Sequence, residues 1–121
     1  MKYIIADPDK QNGHDLKKIL DSYEMLDFVG NFTTLEVAEN SIREEMPDIA
    51  FIRIGTAELN AFKLVGTIRG LNPSSIVIFL SSQVAYAVEA FECEADGFLL
   101  LPFDRGKIKR LLFRIIKKIR A

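Results

Sequence analysis

The feature that most constrains this chain is an alternation of five short apolar runs with five stretches of helical spacing. The runs are Lys2–Ala6, Leu26–Asn31, Asp48–Ile54, Ser75–Leu80 and Gly97–Leu101. Ile, Val and Phe dominate most of them. Several lack polar alternation, as strands of a parallel sheet covered on both faces do. The intervening stretches are Lys10–Tyr23, Leu35–Glu45, Asn60–Leu71, Val84–Glu92 and Arg105–Arg120. Strict alternation calls for right-handed crossovers and one parallel sheet. In 121 residues five such units leave no room for a second domain, so a single α/β domain over residues 1–121 is expected.

Helix signals agree with this division. Leu16, Ile19, Leu20 and Tyr23 give the first helix an apolar stripe, and Thr34 can cap a second helix that buries Val37, Ala38 and Ile42. Asn72-Pro73 ends the third helix, and Gly97 precedes the fifth strand. Ile108, Leu111, Leu112, Ile115, Ile116 and Ile119 make the last helix the most clearly amphipathic one.

Composition narrows the function classes. One cysteine, Cys93, can form neither an intrachain disulfide nor a cysteine zinc site, which suits a reducing cytoplasm. No apolar run is long enough for a bilayer, and Met1–Ile5 meets Asp7 without the apolar core of a signal peptide. The net charge of −1 hides a split: residues 105–121 hold 8 basic and no acidic side chains, whereas the rest hold 17 acidic and 8 basic. A cationic end on an acidic body can meet nucleic acid, meet an acidic protein surface, or be a solvated helix face.

In sheets of this kind, chemistry gathers at the carboxyl ends of the strands. Asp7 and Asp9, after the first run, could seat a hard cation, although Asp9 immediately before Lys10 is equally placed to cap a helix. No Gly-rich phosphate loop occurs. His14 is the only histidine, which removes His-based metal clusters and Ser-His-Asp triads. Cys93, between Glu92 and Glu94, is a poor nucleophile because neighbouring carboxylates disfavour its thiolate.

The stretch Ala85-Tyr86-Ala87-Val88-Glu89-Ala90-Phe91-Glu92, followed by Ala95-Asp96-Gly97-Phe98-Leu99-Leu100-Leu101-Pro102-Phe103, resembles the end of a bacterial response-regulator receiver domain. The resemblance is to the branch joined to LytTR-type DNA-binding domains. Ile4-Ile5-Ala6-Asp7, Pro47–Ile52 and Ile68–Pro73 match the same family in order and spacing. The resemblance implies a flavodoxin-like (CheY-like) sheet of order 2-1-3-4-5, a cytoplasmic module of two-component (phosphorelay) signalling and transcription control, and a cis Leu101-Pro102 bond. In that family an aspartate ending the third strand takes a phosphoryl group, acidic residues after the first strand hold Mg²⁺, and a hydroxyl, a lysine and an aromatic switch complete the pocket.

Laid on that pattern, the chain departs where the chemistry is done. The acceptor position is Arg53, and a guanidinium is no nucleophile. The lysine position is Leu101, and one acidic position is Pro8. Asp7, Asp9, Ser81 and, at the switch position, Phe98 remain. The expectation is a degenerate pocket, with Arg53 in the vacated space bridging Asp7, Asp9 or both and repelling Mg²⁺, whose binding should be weak or absent. The expected role is a phosphorylation-independent interaction module rather than an enzyme. Its homodimer face would run over the fourth helix, fifth strand and fifth helix, with Phe113 among Lys109, Arg110 and Lys117 facing acids such as Glu89 or Glu92 of a second copy. A histidine kinase or an output domain could also be a partner, and direct nucleic-acid or membrane binding is not expected. The competing readings are phosphorylation on another carboxylate, Asp9 or Glu58, and a small-ligand sensor in the strand-end crevice.

Overall fold

The computed structural model describes residues 1–120, with side chains through residue 115. Five strands, β1 (Lys2–Ala6), β2 (Asp27–Phe32), β3 (Ile49–Arg53), β4 (Ile76–Ser81) and β5 (Gly97–Leu100), alternate with five helices, α1 (Lys10–Leu20), α2 (Leu35–Glu45), α3 (Ala61–Leu71), α4 (Ala87–Glu92) and α5 (Arg105–Arg120). Every pairing is parallel, as the alternation implied, and the order is β2-β1-β3-β4-β5, as the resemblance implied.

Successive strand side chains leave opposite faces of a sheet, so each strand feeds two cores. Ile4, Ile52, Val77 and Phe79 cluster with Ile42 of α2, Leu64 and Ile68 of α3 and Ala90 of α4. Tyr3, Ile5, Phe51 and Ile78 cluster on the other side with Leu16 and Leu20 of α1 and with Ile108, Leu111, Leu112 and Ile115 of α5. Each such side chain, once buried, contributes about 1.5–3 kcal/mol. Four of them in succession are what hold α5 to the sheet. Ile116, Ile119 and Lys117 have side chains outside the described residues.

As expected of several runs, β4 and most of β1 and β3 are fully buried, and β2, at the sheet's edge, is only partly covered. The structure corrects two sequence readings. α1 stops at Leu20 rather than Tyr23, because the Ser22 hydroxyl donates to the Ile19 carbonyl at 2.9 Å and a turn follows. Val37 of α2 points outward, and Glu39 takes the buried place. There it accepts from Arg43 and from the Thr67 hydroxyl of α3 and lies 3.7 Å from Lys63. A buried carboxylate with those partners is satisfied, and it ties α2 to α3.

Gly13 of α1 allows one close approach. A Cβ there would meet the Asn31 side chain of β2, so α1 can lie against the sheet edge only without one. This fixes the start of α1 over the end of β1, where the site forms.

Candidate functional site

β1 leads directly into Asp7, whose N–H donates to the Phe32 carbonyl of β2 at 3.0 Å. The backbone therefore carries this carboxylate at a fixed height, and its side chain is 0% exposed. Three donors surround it. The Asp9 N–H reaches Oδ1 at 2.9 Å, Asn12 Nδ2 reaches Oδ2 at 2.6 Å, and Arg53 Nη1 straddles the two oxygens at 3.3 and 3.5 Å.

Arg53 ends β3, the strand beside β1, in register with Leu80 of β4. Its side chain is 17% exposed and lies along the pocket rather than out in solvent. The expected bridge is present, but to Asp7 alone. It runs through one nitrogen, not through the two-pronged fork that arginine can offer. Both contacts are longer than the about 2.7–2.9 Å of a tight charged hydrogen bond, so attraction between opposite charges outweighs directed bonding here.

Asp9 does not join the bridge. It is the N-cap of α1, accepting from the Gln11 and Asn12 N–H groups at 3.0 and 3.2 Å, the role its position before Lys10 had offered. Pro8 sits half-buried between the two carboxylates. Ser81, buried at the end of β4, has its hydroxyl held within its own loop, accepting from the Gln83 N–H at 3.0 Å and donating to the Gln83 carbonyl at 3.2 Å. Leu101 donates its N–H to the Ser81 carbonyl and enters a cis bond to Pro102. Phe98 is half-buried and packs on the α2–α4 side of the sheet. Asn12 was missed in the sequence. Its signal was an amide five residues after Asp7, in the first turn of a helix that must start over that carboxylate.

A second constellation lies at the other sheet edge. Phe98 and Leu100 of β5 and Lys109, Arg110, Phe113 and Arg114 of α5 line an open cavity of about 750 Å³. Phe113, 66% exposed, stands among those cations as expected. Lys117, assigned to the same face, has its side chain outside the described residues. Among the described residues, Arg105, Lys109, Arg110 and Arg114 form no ion pair with an acid, and neither Glu89 nor Glu92 of α4 pairs with a base. The sequence reading missed the exposed Val84, Val88 and Phe91, although their spacing of four and three puts them on one side of the fourth helical stretch.

The sequence pattern of the family described as "Response regulator receiver domain" matches residues 3–113. The chain belongs to the response-regulator receiver domain family, as the resemblance implied. It is 25% identical over 118 residues to the sensory transduction protein LytT of Bacillus cereus, covering 98% of this chain and 48% of the relative. It is 28% identical over 119 residues to the sensory transduction protein LytR of Streptococcus mutans, covering 97% and 49%. The chain thus spans about half the length of these relatives. Among solved structures, the response regulatory domain of the Klebsiella pneumoniae protein mrkE superposes with a TM-score of 0.86 at 23% identity, covering 98% of this chain and 97% of that one.

Receiver domains of the kind resembled hold Mg²⁺ at the end of β1, so the fit of that ion can be tested here. The donors do not suit it. Asp7 already accepts from three groups, Asp9 is committed to helix capping, Pro8 offers no ligand atom, and a guanidinium touches the site's buried carboxylate, Asp7. At about 4 Å a divalent ion would be repelled by Arg53 by on the order of several kcal/mol at an effective dielectric near 20. Among the described residues, no three His, Cys, Asp or Glu side chains come together elsewhere.

Proposed function

We propose that this receiver takes no phosphoryl group in its strand-end pocket, binds Mg²⁺ weakly or not at all, and works as a phosphorylation-independent interaction module in two-component signalling. The observation that carries this reading is the Arg53 guanidinium against the buried Asp7 carboxylate. It removes the nucleophile and meets, from within the chain, the negative charge that a metal would otherwise balance. No free energy of acyl-phosphate formation is then available to move the fold, and recognition falls to surfaces that are already formed.

The surface that fits is the β5 edge with α4 and α5. It combines exposed Val88, Phe91 and Phe113 with acids on α4 (Glu89, Glu92) and bases on α5 (Arg105, Lys109, Arg110, Arg114) that form no ion pair among the described residues. Apolar anchors with complementary charge around them are what a specific interface requires. A two-fold pairing sets the acids of one copy against the bases of the other, twice over. We therefore assign a homodimer to this face. The control of transcription through an attached DNA-binding region, and a kinase as upstream contact, rest on the resemblance to receivers joined to LytTR-type DNA-binding domains and belong to the same proposal.

Sedimentation velocity tests it. A concentration-dependent dimer is expected, with the same dissociation constant whether or not Mg²⁺ and a small-molecule phosphodonor are present. A chain that is monomeric alone and dimeric only with the phosphodonor overturns the reading.

A further inference from the structure

α4 is six residues long and seats one fully buried side chain, Ala90, on the sheet. A helix of that length does not hold itself together in water, and one alanine supplies little apolar area. Something else must place it, and with it the side carrying Val88 and Phe91.

Just ahead of α4, a single 3-10 turn, Val84–Tyr86, carries Val84 outward and Tyr86 inward. The Tyr86 ring lies on Gly55, in the loop that leaves β3 two residues after Arg53. A Cβ on Gly55 would sit 2.6 Å from Cε2 and 3.0 Å from Cζ of that ring. Gly55 also has φ of 88°, where other residues are strained. Both the backbone angle and the ring contact therefore require glycine. Tyr86 also packs against the α2–α4 core. Its N–H donates to the Gln83 carbonyl at 3.2 Å, and Gln83 is itself tied to Ser81.

We propose that Tyr86 is the positioning residue of the interaction face: seated on Gly55, its ring docks the Val84–Glu92 segment to the β3 loop and so fixes the side that bears Val84, Val88 and Phe91. The coupling that would otherwise pass through a phosphoryl group is here a permanent packing contact between two loops. That Val84, Val88 and Phe91 meet a partner rests on the function proposed above; the placement of α4 by Tyr86 does not.

Amide exchange and methyl NMR of the full chain, recorded dilute enough to keep it monomeric, test the two separately. In Tyr86→Ala, exchange of the Ala87–Glu92 amides should accelerate at least about ten-fold, while β1 and β3 amides change less than about two-fold. The Val84 and Val88 methyl signals should collapse toward random-coil positions. Tyr86→Phe, which keeps the ring, should restore both readings. If Tyr86→Ala does not fold, Tyr86→Leu, which keeps apolar volume but not the flat ring, is read in the same way. Unchanged α4 exchange in the variant without the ring overturns the proposal, as does a Tyr86→Phe chain that behaves like Tyr86→Ala. A chain that stays monomeric at every concentration would sink the dimer and leave this result standing.

Discussion

The two ends of the sheet treat charge in opposite ways. At the end of β1 and β3, Asp7 and Arg53 are buried together and neutralise one another, with Asn12 and a backbone N–H completing the carboxylate's shell. At the β5 edge, among the described residues, Glu89 and Glu92 of α4 and Arg105, Lys109, Arg110 and Arg114 of α5 form no ion pair and stand beside exposed apolar side chains. Opposite charges that meet within a chain have nothing left to offer a ligand. Charges left unpaired beside apolar surface retain both attraction and area for a partner. The space at the end of β1 and β3 is filled from within, and the function proposed above places the partner at the other edge.

The largest effect should come from breaking the buried pair. Arg53→Met leaves Asp7 without solvent and with two donors, which should cost about 3 kcal/mol of unfolding free energy at neutral pH, measured by urea denaturation. A variant as stable as the native chain would mean that the pair carries no weight and that the pocket is merely eroded. At the other edge the same kind of change should act on association instead. Phe113→Glu should weaken self-association at least about ten-fold, or about 1.4 kcal/mol, while unfolding free energy shifts by less than about 0.5 kcal/mol. A large stability loss there would remove the contrast between the two regions.

The smallest effect belongs to Tyr3, under β2. Its hydroxyl is buried without a hydrogen-bond partner, and burial, with the charge of Asp21 adding to it, pushes the phenol well above its ordinary value near 10. The folded chain therefore holds that proton more tightly than the unfolded chain does. The resulting stabilisation is complete below pH about 10 and is lost as pH rises beyond it. Tyr3→Phe should gain about 1 kcal/mol at neutral pH by removing an unpaired polar group and should lose less stability than the native chain above pH about 10. A variant less stable than the native chain at pH 7 would reveal a partner for that hydroxyl.

Much of this architecture could be read from the residues. The alternation of runs gave parallel pairing and right-handed crossovers, and the family resemblance supplied the strand order. Asp9 before Lys10 announced its cap, and Arg53, at the end of an apolar run and within reach of Asp7 and Asp9, was expected to bridge into the strand-end crevice rather than reach solvent. What escaped were contacts between elements distant in sequence. Glu39 gave no signal in the sequence because Arg43, Lys63 and Thr67 converge on it only once α2 and α3 lie side by side. Asn12 and the Tyr86–Gly55 contact were hidden for the same reason: periodicity tells which side of a helix is apolar, not which loop faces it. Val37 went wrong because one helical position is a turn of about 100°, enough to carry a valine from core to surface.

Intact-mass spectrometry of the chain after incubation with Mg²⁺ and a small-molecule phosphodonor, or with a histidine-kinase phosphodonor, puts the substitution at position 53 to its most direct test. The expected spectrum is that of the unmodified chain, under conditions that label an ordinary receiver run alongside. A mass increase of one phosphoryl group, mapped by fragmentation to Asp7, Asp9 or Glu58, would contradict it.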